Sequence, residues 1–107
     1  MINKEKAALW IAALRSGLYK STQRRLRLND SYCCLGVYCD IYDKSLWKKS
    51  THSDAYLYLD IIDKLPLGIQ LDLGLSDAQQ SQLIYMNDQG ISFDEIADQI
   101  ESWLGGR

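Results

Sequence analysis

At 107 residues, with 47% apolar and 24% charged side chains, the chain fits one ordinary globular domain and is too apolar for intrinsic disorder. It has no run of about 18 apolar residues, which excludes a membrane-spanning helix, and the polar stretch Met1 to Lys6 does not read as a signal peptide. The net charge of −2 hides a division. Residues 1–28 carry Lys4, Lys6, Arg15, Lys20, Arg24, Arg25 and Arg27 against Glu5 alone, whereas residues 29–107 carry five basic and thirteen acidic side chains. Such a split predicts a one-sided electrostatic surface unless folding intermixes the halves. Three cysteines, two of them adjacent, fit a disulfide framework poorly and point to a reducing, cytoplasmic compartment, that of a cell or of an infected host.

In chain order, Asn3 is placed to cap a helix over 3–16, whose Ala7, Trp10, Ala13 and Leu14 share one face and which Gly17 ends. Residues 18–31 read as a basic, extended connection, with a short strand over 24–28 and a turn at Asn29-Asp30. The apolar run 32–42 reads as a buried helix. The stretch 43–56 is polar and irregular, with Trp47 and His52 inside it. Residues 56–63 are strand or short helix, ended by Pro66 and Gly68. In 67–75, Leu67, Ile69, Leu71, Leu73 and Leu75 alternate with other residues, as in a strand or a loop that docks its leucines. Ser76 with Gln79 forms a capping-box pattern opening a helix over 77–87. Ser92 with Glu95 opens another over 92–104, where Ile91 and Ile96 occupy the hydrophobic-staple positions. Gly105 ends that helix, and the final Gly105-Gly106-Arg107 reads as a cap and a frayed end rather than a conjugation tail. The expectation is a single domain over 1–107, α+β and mainly helical, with about four helices and a small β-hairpin or short sheet. Its core is expected to hold Trp10, Leu14, Leu35, Val37, Cys39, Leu83, Ile84, Phe93, Ile96 and Ile100.

Three phrases together resemble short proteins encoded by phages and prophages. They are Trp10…Ala13-Leu14-Arg15-Ser16-Gly17…Tyr19 with Gln23 and Leu26-Arg27; Tyr32-Cys33-Cys34-Leu35-Gly36-Val37…Cys39-Asp40; and Leu75, then Met86-Asn87-Asp88…Gly90…Ser92-Phe93…Glu95-Ile96-Ala97-Asp98…Ile100-Glu101. The likeness covers most of the chain outside 43–74. It departs at Lys20-Ser21-Thr22-Gln23, where the pattern has its glutamine sooner after the tyrosine. Most such proteins have no known function, so the resemblance implies a phage setting and, by analogy, a protein that inhibits or sequesters something belonging to host defence.

Among the chemistry-bearing residues, Cys33, Cys34, Cys39 and His52 are numerous enough for a zinc set or a Cys–His enzyme. Their spacing matches neither well, and three small buried apolar side chains explain the cysteines better. No metal or cofactor is expected. Asn87-Asp88-Gln89-Gly90 is too short for a calcium loop and reads as a turn. A helix-turn-helix over 76–104 would present an acidic helix to the major groove, so direct binding of duplex DNA is not expected. The basic segment is the preferred site: Lys20, Arg24, Arg25 and Arg27 flanked by Tyr19 and Tyr32. Arginine grips phosphate with a planar fork, and tyrosine gives a base a face to stack on. This predicts a counter-defence binding protein, a homo-oligomer in the host cytoplasm, that sequesters a small nucleotide signal. The first alternative is an inhibitor of a host defence protein that uses Asp94, Glu95, Asp98 and Glu101 as a nucleic-acid-like surface. The second is a small Cys/His enzyme.

Overall fold

The computed structural model describes residues 1–105, so Gly106 and Arg107, the end of the tail considered above, lie outside the described residues. Five α-helices and five short strands follow one another: α1 (Lys4–Arg15), β1 (Lys20–Ser21), β2 (Arg27–Leu28), β3 (Ser31–Tyr32), α2 (Cys34–Tyr42), a 3₁₀ turn (Lys44–Leu46), β4 (Trp47–Lys49), β5 (Ala55–Tyr58), α3 (Leu67–Leu73), α4 (Asp77–Asp88) and α5 (Phe93–Trp103). The class is α+β as expected, with five helices rather than about four. The strands form one mixed sheet in the order β1-β3-β2-β5-β4. Only the β1–β3 pair is parallel.

The local signals act where the residues place them. The Asn3 side chain accepts the Lys6 N–H, and Ser76 and Gln79 make both bonds of the capping box. Ser92 caps α5 through the Glu95 N–H. The turn at Asn29-Asp30 joins β2 to β3, with Asn29 in the left-handed region (φ 51°).

Three expectations are corrected. The strand read over 24–28 shrinks to Arg27–Leu28, because Arg24 takes a left-handed conformation (φ 67°) that no strand can hold. The alternating segment 67–75 is largely helix α3. Its leucines occur at both periods, but only Ile69, Gln70 and Leu73 turn inward, while Leu67 and Leu71 stay in water. Gly74 ends α3 at φ 82°, and a Cβ there would lie 2.1 Å from the Met1 carbonyl oxygen. Strand β4 arises in the stretch read as irregular.

α2 forms the centre of the fold. Every residue from Cys33 to Asp40 is buried, and α1 and α4 pack against this helix while α5 covers α1. Of the ten expected core residues, eight are buried; Ile84 and Phe93 are half-buried. The first turn of α2 is anchored from four directions. The Cys33 N–H donates to the Leu26 carbonyl at 3.0 Å, and the Cys34 N–H donates to Asn87 Oδ1 at 3.0 Å. The Trp10 indole donates to the Cys34 carbonyl at 2.9 Å, and the Gly36 N–H points at Cys33 Sγ at 3.4 Å. Asn87 is spanned completely, since its amide also donates to the Thr22 carbonyl at 2.7 Å. The Leu26 backbone lies so close to Gly36 that a Cβ there would fall 1.8 Å from the Leu26 oxygen.

Two substitutions test this anchor. Asn87→Ala leaves a buried N–H and C=O unpaired and is expected to cost about 2–4 kcal/mol in urea denaturation. Gly36→Ala forces backbone apart and is expected to cost on the order of 3 kcal/mol or more, whereas an exposed Gly68→Ala control changes stability little.

Candidate functional site

The sheet pairing creates one row of side chains. Ser21 pairs with Tyr32, Tyr32 with Arg27, Arg27 with Tyr56, and Tyr56 with Lys49. Directly paired residues face the same side of a sheet, so these five line one track across all five strands. Trp47, paired with Tyr58, lies on the same side two residues before Lys49 in β4. The rings pack edge to face: Tyr19 on Tyr32 at 5.0 Å, Tyr32 on Trp47 at 6.0 Å, Trp47 on Tyr58 at 4.8 Å and on Tyr56 at 6.4 Å. Arg27 closes this cluster. Its guanidinium carbon lies 3.9 Å from the Tyr56 ring centre, 5.2 Å from Tyr32 and 5.5 Å from Trp47. Its Nε donates to the Asn29 carbonyl at 2.7 Å. The Arg27 side chain is therefore held by its flat face and by one edge. Its nearest carboxylate oxygen, on the almost fully exposed Asp30, is 3.9 Å away, and among the described residues the terminal N–H groups make no hydrogen bond.

A buried carboxylate sets the aromatic cluster in place. Asp40, 5% exposed, accepts the Tyr19 hydroxyl at 2.7 Å, the Trp47 indole at 3.0 Å and the Lys44 ammonium at 3.2 Å. Burial pushes the Asp40 carboxyl up, but these three donors outweigh it and the net shift is downward. Burial, together with the same contact, pushes the Tyr19 hydroxyl well above its usual range, so it remains a neutral donor.

The predicted basic segment is thus divided. Tyr19, Arg27 and Tyr32 come together, but Arg24 and Arg25 do not join them. The buried Leu26 between them pins the chain: its N–H donates to the Ile62 carbonyl and its carbonyl accepts from Cys33. Arg24 donates its N–H to Asp88 and lines a recess of about 220 Å³ with Asp63, Lys64, Ile84 and Asp88. Arg25 folds back on the Arg24 carbonyl. Lys20 pairs with Ser31 and so belongs to the opposite side of the sheet. Sequence reasoning missed Asp40, Trp47, Lys49 and Tyr56. The signal was Trp47-Lys48-Lys49 followed by the alternating Tyr56 and Tyr58.

The charge division is also intermixed by folding. Arg15 reaches Asp98 at 2.5 Å and Glu101 at 3.2 Å, so two of the four acidic residues singled out on α5 carry a cation from α1; Asp94 and Glu95 remain exposed. Lys6 likewise pairs with Asp72. The cysteines are all buried and unpaired. Burial pushes the Cys33 thiol up to about 11 and Cys34 well above its ordinary value, so neither supplies a thiolate at neutral pH. His52 lies in the exposed loop between β4 and β5. Among the described residues, no three of His, Cys, Asp and Glu come together as a ligand set, and no helix is long and apolar enough to cross a membrane.

A family model described as a domain of unknown function, DUF8296, matches residues 2–72, and the chain belongs to that family. The match includes the whole Arg27 row and stops before α4. No curated protein and no solved structure matches the chain.

The Asp40 carboxylate has a clear pH signature. Its value in the folded protein lies below the unfolded one, so its contribution to stability is full above the ordinary aspartate value near 4 and is lost as pH falls through the depressed folded value. Asp40→Asn is expected to be less stable by roughly 1–3 kcal/mol at neutral pH and to lose part of the acid dependence. Urea denaturation followed from neutral pH down to about pH 3 measures both.

Proposed function

We propose that the protein binds a small phosphate-bearing ligand of the nucleotide class at the Arg27 row, and that it acts by sequestering that ligand. The observation that supports this is the state of Arg27: stacked on Tyr56, boxed by Tyr32 and Trp47, and with no hydrogen-bond partner among the described residues at its terminal N–H groups. A guanidinium held by its face offers two parallel donors in a fixed plane, the geometry that grips phosphate, and little side-chain freedom remains to be lost on binding. Lys49 stands on the same track beyond Tyr56 and adds a second cation; its ionic neighbour among the described residues, Asp54, is 3.9 Å away.

A track across a sheet leaves one side of a ligand in water. Tight sequestration therefore calls for a second copy of the chain over the site, which is why a homo-oligomer belongs to this reading. The resemblance to phage and prophage proteins supplies the setting, the cytoplasm of an infected host, where the captured ligand would be a nucleotide signal of host defence.

The test is calorimetry or thermal shift against cyclic and linear nucleotides. Arg27→Ala is expected to abolish binding, and Arg27→Lys to weaken it at least tenfold, because lysine keeps the charge but loses the fork and the stack. A double Arg24→Ala, Arg25→Ala variant is expected to bind within about threefold of the parent, given the usual worth of solvated charges. No shift with any nucleotide, or loss caused by the double variant instead, defeats the reading.

A further inference from the structure

A second concavity lies away from the Arg27 row, between α1 and α2. It is a cleft of about 310 Å³ lined by Lys6, Leu9, Tyr38, Ile41 and Tyr42. Its walls are apolar side chains that fill no core position: Leu9 is 68% exposed, Tyr42 45% and Ile41 36%. Its floor is Tyr38, only 3% exposed, whose ring rests between Trp10 at 5.3 Å and Tyr42 at 6.2 Å. The Tyr38 hydroxyl makes no hydrogen bond among the described residues, yet no buried side-chain nitrogen or oxygen is left without a partner. The hydroxyl is therefore open to water, and Tyr38 lines the cleft. A buried tyrosine ordinarily finds a partner for its O–H, and one left unpaired on a residue that lines an apolar recess is a donor a ligand can use.

We propose that this cleft is a second ligand site, taking a small uncharged group of one or two rings whose single hydrogen-bond acceptor meets the Tyr38 hydroxyl. The volume sets the size, since a cavity of about 150 Å³ suffices for a benzene ring. The electrostatics set the charge. Lys6, the cation at the rim, is already paired with Asp72, so it gives an anion little net attraction. Burial, followed by the nearby Asp72 carboxylate, pushes the Tyr38 hydroxyl up to about 12, so it stays protonated and donates. A ligand carboxylate would bring a second negative charge near Asp72, whereas a neutral carbonyl would not.

The site does not depend on nucleotide binding, and its test uses three probes of similar shape. Methyl NMR of the full chain is recorded with acetophenone, ethylbenzene and benzoate. Acetophenone is expected to shift the Leu9 and Ile41 methyl signals with millimolar affinity or better. Ethylbenzene, which lacks the acceptor, is expected to bind about threefold to tenfold more weakly, the worth of one hydrogen bond, and benzoate more weakly still. Tyr38→Phe keeps the ring on Trp10 and should erase the difference between acetophenone and ethylbenzene. Leu9→Asp, at an exposed position, should remove both, and Arg27→Ala should change neither. Signals that shift with protein concentration alone would show that a second copy fills the cleft, and would overturn the proposal. So would a preference for benzoate, an acetophenone affinity unchanged in Tyr38→Phe, or no response at Leu9 and Ile41.

Discussion

The entry to α2 is the constraint on which the rest of the structure depends. A helix begins with unpaired N–H groups, and here the helix is wrapped in protein, so water cannot satisfy them. The chain supplies partners from distant segments: the Leu26 carbonyl from before β2, the Cys33 sulfur from the cap itself, and the Asn87 amide from the far end of α4. Asn87 in turn holds the Thr22 carbonyl, so one side chain ties α4, α2 and the loop after β1 into a single joint. Side chains that bridge buried backbone groups in this way are costly to replace, because each loss strands a group on the other side. The site inherits its geometry from this joint. Leu26, pinned by Cys33 and Ile62, delivers Arg27 to the sheet, and Asp40 on the same helix holds Tyr19 and Trp47 beside it.

Several phrases that carry the resemblance to phage proteins turn out to be structural. Trp10, Cys33-Cys34, Gly36 and Asn87-Asp88 are occupied by packing, close backbone approach and hydrogen bonds inside the fold. Arg15 is taken up by the acidic helix it packs beside. What is left without such a structural role is a smaller set, chiefly Arg27 and Tyr32, and the row they stand in is completed by residues from the 43–74 stretch that those phrases do not reach.

The helices were legible because their signals are local. Asn3, Ser76 with Gln79, and Ser92 announce helix starts, and the apolar stripes of α1 and α5 run long enough to establish a period. The sheet was not, because two-residue strands have no period to read, and their pairing depends on contacts made far along the chain. α3 was ambiguous for a different reason: alternate leucines satisfy a strand pattern even when helix packing selects only Ile69, Gln70 and Leu73. The aromatic row was half legible. Arginine beside tyrosine marked Tyr19, Arg27 and Tyr32, which do come together, but a run of four basic residues reads as one patch only if the backbone through it is uniform. Here Arg24 is left-handed and Leu26 is buried, so neighbours in sequence face different parts of the molecule.

The position of Asn87 has one more consequence. The segment that defines the family ends at Asp72, fifteen positions before the amide that seats α2. α1 also buries its inner face against α5, whose Ile96, Ala97 and Ile100 are fully enclosed. The matched segment is therefore smaller than the unit of folding. It contains the arginine row, but the amide that receives Cys34 and the helix that covers α1 both lie beyond it, so residues 2–72 cut out alone would leave the first turn of α2 short of one acceptor and α1 with a bare apolar face.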